Sequence, residues 1–172
     1  MKILAVCGSL KAQSANLALL RTAAQLAPPG VEVQLFTGLG ELPHFNPDAE
    51  AQGISPSVTQ WRQTLAASDA VLIATPEYGH SLPGVLKNAI DWVIGSGELE
   101  GKLVALTAST PAPERGRRGL RALGDTLRAL SARIVGGDPI VRGPDMPIAI
   151  GRLLDALIEQ GRADGAVGHR AR

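Results

Sequence analysis

Three polar clusters carry the side chains that could do chemistry. The first, residues 8–16, reads Gly-Ser-Leu-Lys-Ala-Gln-Ser-Ala-Asn and offers Ser9, Ser14 and Asn16 as hydrogen-bond donors with Lys11 as a cation. The second, residues 76–81, reads Pro-Glu-Tyr-Gly-His-Ser and places an acid, an aromatic ring and an imidazole within four positions. The third begins at Ser109 and Thr110 and runs into Arg115, Arg117, Arg118 and Arg121. The first cluster ends where a helical pattern starts. Free backbone N–H groups at a helix start, with hydroxyl and amide side chains beside them, suit a phosphate. The same Ser14 and Asn16 are equally suited to capping that helix. The first cluster matches neither GxGxxG nor GxxxxGK[ST]. In the second, Tyr78 could cover a planar ring, and the backbone N–H groups of residues 78–80 could meet ring carbonyls. His80 has no nucleophile and carboxylate at a readable spacing, so an acyl-transfer triad is disfavoured and no catalytic side chain is assigned. No Cys/His cluster indicates a metal. The arginines fit either a solvated helix start or the phosphates of a nucleotide.

Each cluster follows an apolar run that reads as a buried strand: residues 2–7, 71–75 and 101–109. A helical pattern follows each of them, ended by Pro28-Pro29-Gly30 in the first case. Residues 31–36 alternate with period two, as an edge strand exposed on one face does. Residues 37–55 read as an irregular surface loop and 56–67 as a helix capped by Ser55. Residues 133–141 carry a short strand interrupted by Gly136-Gly137, and 147–160 form a last helix before a flexible tail, 161–172. Strict alternation of strands and helices implies a three-layer α/β sandwich around a five-stranded parallel sheet, of expected order 2-1-3-4-5. The clusters after the first and third strands then face each other across the one crevice where the strand order reverses. The helix of residues 83–95 has more apolar positions than one sheet face needs: Leu86, Ala89, Ile90 and Val93, widened by Val85 and Trp92. That excess implies a second buried surface, expected to be a subunit contact.

At 172 residues with 45% hydrophobic composition, the chain is expected to form one domain. A net charge of +1 gives no general field for nucleic acid. No run reaches membrane-spanning length. One cysteine, Cys7, and no signal-peptide pattern lead to the expectation of a cytoplasmic protein.

These residues together resemble a known family. Gly8-Ser9-Leu10-Lys11 with Ser14 and Asn16, the run from Pro76 to Gly84, and Leu86-Lys87-Asn88-Ala89-Ile90-Asp91-Trp92 closely resemble the NADPH-dependent FMN reductases. That is the flavodoxin-like group of quinone, azo-dye and chromate reductases. The resemblance extends from Met1 to about Val135. It implies that Ser9, Lys11, Ser14, Ala15, Asn16 and Leu17 surround the FMN phosphate. It implies that Pro76, Glu77, Tyr78, Gly79 and His80 line the isoalloxazine, and that a loop from Ser109 closes over the ring. Hydride would pass from NADPH or NADH through FMN to a small-molecule acceptor, in a homodimer or homotetramer packed through the Leu86–Trp92 helix. Three positions depart from the family pattern. Lys11 stands where arginine is usual, Gly79 where asparagine is common, and Ala112, Glu114 and Arg118 intrude into a turn that is usually glycine-rich. The alternatives are a flavodoxin-type electron carrier, disfavoured by a pI near 8.0, and a flavin-free binding module.

Overall fold

A computed structural model describes residues 1–168. Five parallel strands form the sheet in the order β2-β1-β3-β4-β6: β1 (Lys2–Cys7), β2 (Glu32–Phe36), β3 (Ala70–Ala74), β4 (Leu103–Thr107) and β6 (Arg133–Gly136). This is the flavodoxin-like order expected from the alternation of elements. A two-residue ladder, β5 (Ser109–Thr110) with β7 (Ile140–Val141), prolongs β4 and β6 beyond the sheet. The break falls at Gly136 and Gly137, both at positive φ (70° and 107°).

Alternate side chains of each strand sort the core into two layers. Leu4, Val6, Val71, Ile73, Val104 and Leu106 face α3 (Pro56–Ala66), α4 (Gly84–Asp91) and α5 (Arg117–Ala129). Ile3, Ala5, Leu72, Ala74, Leu103 and Ala105 face α1 (Ala15–Leu26) and α6 (Met146–Gly168). The helix that follows β1 therefore lies on one face and the helix that follows β3 on the other. That is the condition for a crevice between the carboxyl ends of these two strands.

Three expectations change. Residues 37–55 are not an irregular loop. They hold a 3-10 turn (Gly38–Glu41) and the short helix α2 (Pro47–Gln52), whose start Asn46 caps through Oδ1 to the Asp48 amide at 2.9 Å. Leu39 and Leu42 are buried, and Phe45 meets Trp92 edge-on with ring centroids 5.1 Å apart. Gly and Pro at the ends of these short pieces masked them. Second, the wide apolar stripe of α4 is not a spare surface. Trp92 is 2% exposed within the single chain and donates from Nε1 to Pro43 O at 2.7 Å. Asn88 clamps the same segment, accepting from Phe45 N at 2.8 Å and donating to Pro43 O at 2.9 Å. Deeper burial inside the protomer explains the stripe, so it carries no argument for a subunit contact. Third, α6 runs past Gln160 to Gly168, and the remainder of the expected tail, 169–172, lies outside the described residues.

Candidate functional site

The residues at the carboxyl ends of β1, β3 and β4 are joined by three short-range devices. The first is the approach of β1 to β3. Gly8 donates its amide to Ala74 O at 2.9 Å, and a Cβ on Gly8 would lie 2.3 Å from Thr75 Oγ1. Only glycine lets the first loop leave β1 this close to β3. Ser14 caps α1, accepting from the Leu17 amide at 3.5 Å and from Cys7 Sγ at 3.8 Å. With both acceptor sites engaged, the Ser14 hydroxyl hydrogen is still available to a ligand. Ala15 and Asn16 begin the helix, where backbone amides have no intrahelical partner. Ser9 Oγ accepts from the Lys11 amide at 3.3 Å, and Lys11 extends into solvent. Leu17 is half-buried under the loop.

The second device ties the first loop to the end of β4. Asn16 is buried, and its Oδ1 accepts from the Ser109 amide at 2.7 Å across 93 positions of sequence. Its carbonyl is therefore a strut. The bond leaves the Ser109 hydroxyl buried with no hydrogen-bond partner in the protein. A buried orphan hydroxyl is costly unless something completes it.

The third device holds the second loop. Tyr78 and Ser81 exchange both backbone hydrogen bonds at 3.0 Å, and Gly79 and His80 between them have φ of 57° and 62°. That is the geometry of a type I′ turn. It takes the Tyr78 amide out of the set available to a ligand and leaves those of Gly79 and His80. Glu77 anchors the turn to α5: Oε2 accepts from the Gly119 amide at 2.9 Å, and Oε1 lies 3.2 Å from His80 Nδ1. The Gly119 amide holds the Glu77 carboxyl below its usual range, helped by His80 and the Arg118 amide against the opposing effect of partial burial. A Cβ on Gly119 would lie 3.0 Å from both Glu77 Cβ and Ser81 O, so α5 docks here only through a glycine. Tyr78 stands 58% exposed and Pro76 is half-buried.

The structure therefore brings Ser14, Ala15, Asn16 and Ser109 into one connected set and Glu77, Gly79 and His80 into another, while Ser9 is half-buried and Lys11 and Tyr78 are exposed. Sequence reasoning missed Gly8 and Gly119 as site-shaping residues. A glycine directly after a buried strand was a readable signal for the first. Among the arginines, Arg117 pairs with Asp138 at 2.9 Å, and Arg115, Arg118 and Arg121 are exposed. No group of three or more His, Cys, Asp or Glu side chains among the described residues is placed to hold a metal.

An N-cap hydroxyl with a proton to give, unpaired helix-start amides and an orphan buried hydroxyl form a donor set that fits a phosphorylated flavin. The chain matches the family described as NADPH-dependent FMN reductase over residues 1–143. An NAD(P)H-dependent FMN reductase of Pseudomonas aeruginosa is 46% identical over 92 residues, which is 54% of this chain and about half (49%) of that relative. A quinone reductase of Escherichia coli (strain K12) is 29% identical over 171 residues, covering 98% of this chain and 90% of the relative. Among solved structures, the flavoenzyme NAD(P)H:(acceptor) oxidoreductase FerB from Paracoccus denitrificans superimposes with a TM-score of 0.76 at 26% identity, over 92% of this chain and 97% of that one.

Proposed function

The chain belongs to the NADPH-dependent FMN reductase family, and from that premise we propose that it is an NAD(P)H-dependent oxidoreductase that binds FMN between the loops following β1 and β3. The nicotinamide nucleotide is the hydride donor, and the acceptor is a quinone-like, azo or flavin compound. The observation that carries the reading is the orphan Ser109 hydroxyl held by Asn16 at the start of α1. It is a donor already desolvated and positioned, with nothing in the protein to receive it.

When bound, FMN supplies the hydride acceptance and donation, and the protein supplies position and electrostatics. In this reading Ser14 and the amides of Ala15 and Asn16 hold the phosphate, assisted by Ser9, Leu17 at the loop's inner wall, and Lys11. Lysine grips a phosphate as a point charge, without the two parallel bonds of arginine. Pro76, Glu77, Tyr78, Gly79 and His80 border the ring. The Glu77 carboxylate is held ionised by Gly119, so its role is to fix the turn and not to give a proton. His80 is a hydrogen-bonding neighbour of Glu77 and is dispensable for proton transfer. The open rim beside Tyr78 lets donor and acceptor use one pocket in turn, which implies substituted-enzyme kinetics.

The same proposal covers the surroundings. The described residues form a single domain, and the protein is cytoplasmic and a homodimer or homotetramer formed through a surface other than the Leu86–Trp92 stripe. No helix of the described residues is long and apolar enough to cross a membrane. The test is to titrate flavin-free protein with FMN, following quenching of flavin fluorescence, and then to mix the complex with NADPH or NADH in stopped flow. Saturable binding followed by bleaching of the flavin absorbance is expected. No saturation at high micromolar FMN, or no bleaching by either nucleotide, would refute the reading.

A further inference from the structure

Helix α6 carries two apolar stripes, and the sheet takes only one of them. Ile150, Leu154, Leu157 and Ile158 are buried in the core. Ile148, Ala149, Leu153 and Ala156 run beside them at helical spacing, with Asp145 and Arg152 on the same face. This second stripe is one wall of a groove of about 720 Å³, and Val135, Pro139 and Ile140 from β6, β7 and the turn between them form the other. Unlike the stripe of α4, it stays open: Ile148 is 58% exposed, and Ala149, Leu153 and Ala156 are half-buried. No residue of the loops after β1 and β3 lines the groove, so it is separate from the crevice assigned to FMN.

Three charges reach the groove: Asp138, Asp145 and Arg152. Two of them are compensated. Asp138 Oδ1 accepts from Arg117 Nη1 at 2.9 Å. Asp145 stands immediately before Met146, the first residue of α6, where the helix macrodipole favours an anion. Arg152 has neither kind of support. It is exposed and makes no hydrogen bond or ion pair among the described residues. Seven positions along the helix put it about 10 Å from Asp145, too far to pair. The groove therefore leaves one demand unmet, an anion beside apolar walls. A guanidinium meets a carboxylate best, through two parallel N–H···O bonds.

The shape says what carries that anion. A cleft of this volume lies within the range of small-molecule pockets, about 300–1,000 Å³. A flat protein surface would bridge the cleft and leave it unfilled, against the close packing that stable contacts need. Ala149 and Ala156 make the helical wall shallow, which suits a flat ring better than a branched chain.

We propose that this groove is a second small-molecule site, for a flat aromatic carboxylate whose ring lies on the α6 stripe and whose carboxylate pairs with Arg152. The site does not depend on the reductase reading. The probes are 2-naphthoate and 2-naphthamide, which share a ring and differ in charge. In calorimetric titrations of the FMN-saturated protein, 2-naphthoate should bind at one site per chain, about fivefold or more tightly than 2-naphthamide. Arg152→Gln should bring 2-naphthoate down to the level of the amide and leave the amide unchanged. An unaltered thermal melt shows that the variant is folded, as expected for an exposed side chain. In the unmutated protein, 2-naphthoate should shift the methyl NMR signals of Ile140 and Ile148, which locates the site without any variant. No saturable binding at low millimolar 2-naphthoate, equal affinity for the two probes, or an Arg152→Gln protein that still prefers the acid overturns the assignment. So does 2-naphthoate that leaves both methyl signals unmoved, or that binds only without FMN, because it then occupies the flavin crevice. If FMN itself does not bind, the reductase reading fails alone. The same titrations on the flavin-free protein, located by the Ile140 and Ile148 signals, then decide the groove.

Discussion

Glu77→Ala removes the acceptor that ties the second loop to α5, and its cost follows from the geometry. The Gly119 amide donates to Glu77 Oε2 at 2.9 Å in a partly buried position, and the carboxylate side chain is 21% exposed. A hydrogen bond to a charged group contributes about 1.5–3 kcal/mol, and partial solvation places this one towards the lower end. The His80 contact adds little, because that imidazole is 68% exposed. A loss of about 2 kcal/mol corresponds to a Tm lower by about 4–8 °C for a chain of this size. Glu77→Gln keeps a carbonyl for Gly119 and should lose about half as much. The pH dependence has a definite sign. Gly119 and His80 depress the folded-state pKa of Glu77. The charge-dependent part of the stabilisation is therefore fully present above the unfolded value, about 4.3, and is lost as pH falls through the lower folded value. Thermal melts of flavin-free wild-type and Glu77→Ala protein from pH 7 down to about pH 3.5 measure the gap. It should be constant from neutrality to about pH 5 and narrow below that. A gap that is absent at pH 7, or of the same size at the acid end, would show that Glu77 is not held ionised by the α5 amide.

Ser14→Ala should weaken FMN about tenfold or more and riboflavin much less, because only FMN carries the phosphate; an equal loss in fluorescence titrations of the two flavins would place Ser14 outside the phosphate site. Asn16→Ala frees the Ser109 amide and should lower affinity for FMN and riboflavin alike, so the ratio of the two dissociation constants distinguishes a strut from a phosphate ligand. Trp92→Asp puts a charge where the ring is 2% exposed inside one protomer. It should cost at least the roughly 3–5 kcal/mol of a buried Trp truncation, seen as a collapse of the denaturant midpoint, and a well-folded variant that merely dissociates in sedimentation would contradict the packing described here.

The parallel sheet and its order were legible because both rest on hydrophobic period and on alternation, which act over whole elements. The strands ending at Cys7, Ala74 and Thr107 are apolar at nearly every position, and only a sheet covered on both faces hides such runs. What was illegible depended on contacts distant in sequence. The fold of residues 37–55 is held by Asn88 and Trp92, more than forty positions away. Read without those partners, its glycines and prolines looked like breaks, and the apolar stripe of α4 looked unpartnered. The same holds in the site. Ser14 was readable both as a cap and as a phosphate donor, and its geometry permits both. Asn16 was readable as a cap or as a donor near a phosphate but not as a strut, since the Ser109 amide that it receives lies 93 positions away. The backbone amide of Tyr78 looked available because the turn that consumes it needs His80 at positive φ, a conformation that few non-glycine residues adopt.

The loop after β4 shows how a family pattern can thin out without losing its geometry. The turn there that is usually glycine-rich has Ala112, Glu114 and Arg118 in it. The two glycines that remain are the ones the backbone requires. Gly116 sits at φ 82° as the residue before α5, where a side chain would be strained and would also press on Thr110 and Ala108 at 3.1 and 3.2 Å. Gly119 makes the close approach to Glu77 and Ser81. Glu114 and Arg118 point to solvent, and Ala112 contributes its carbonyl, to the Thr110 hydroxyl at 3.0 Å and the Arg115 amide at 3.2 Å. Glycine at those three positions would change no contact that shapes the crevice. The departures therefore alter the rim, adding charge around α5, and leave the anchored turn, the Asn16 strut and the orphan Ser109 hydroxyl as they stand. A thinned glycine pattern is weak evidence for a lost cofactor when the surviving glycines are those with positive φ or no room for a Cβ.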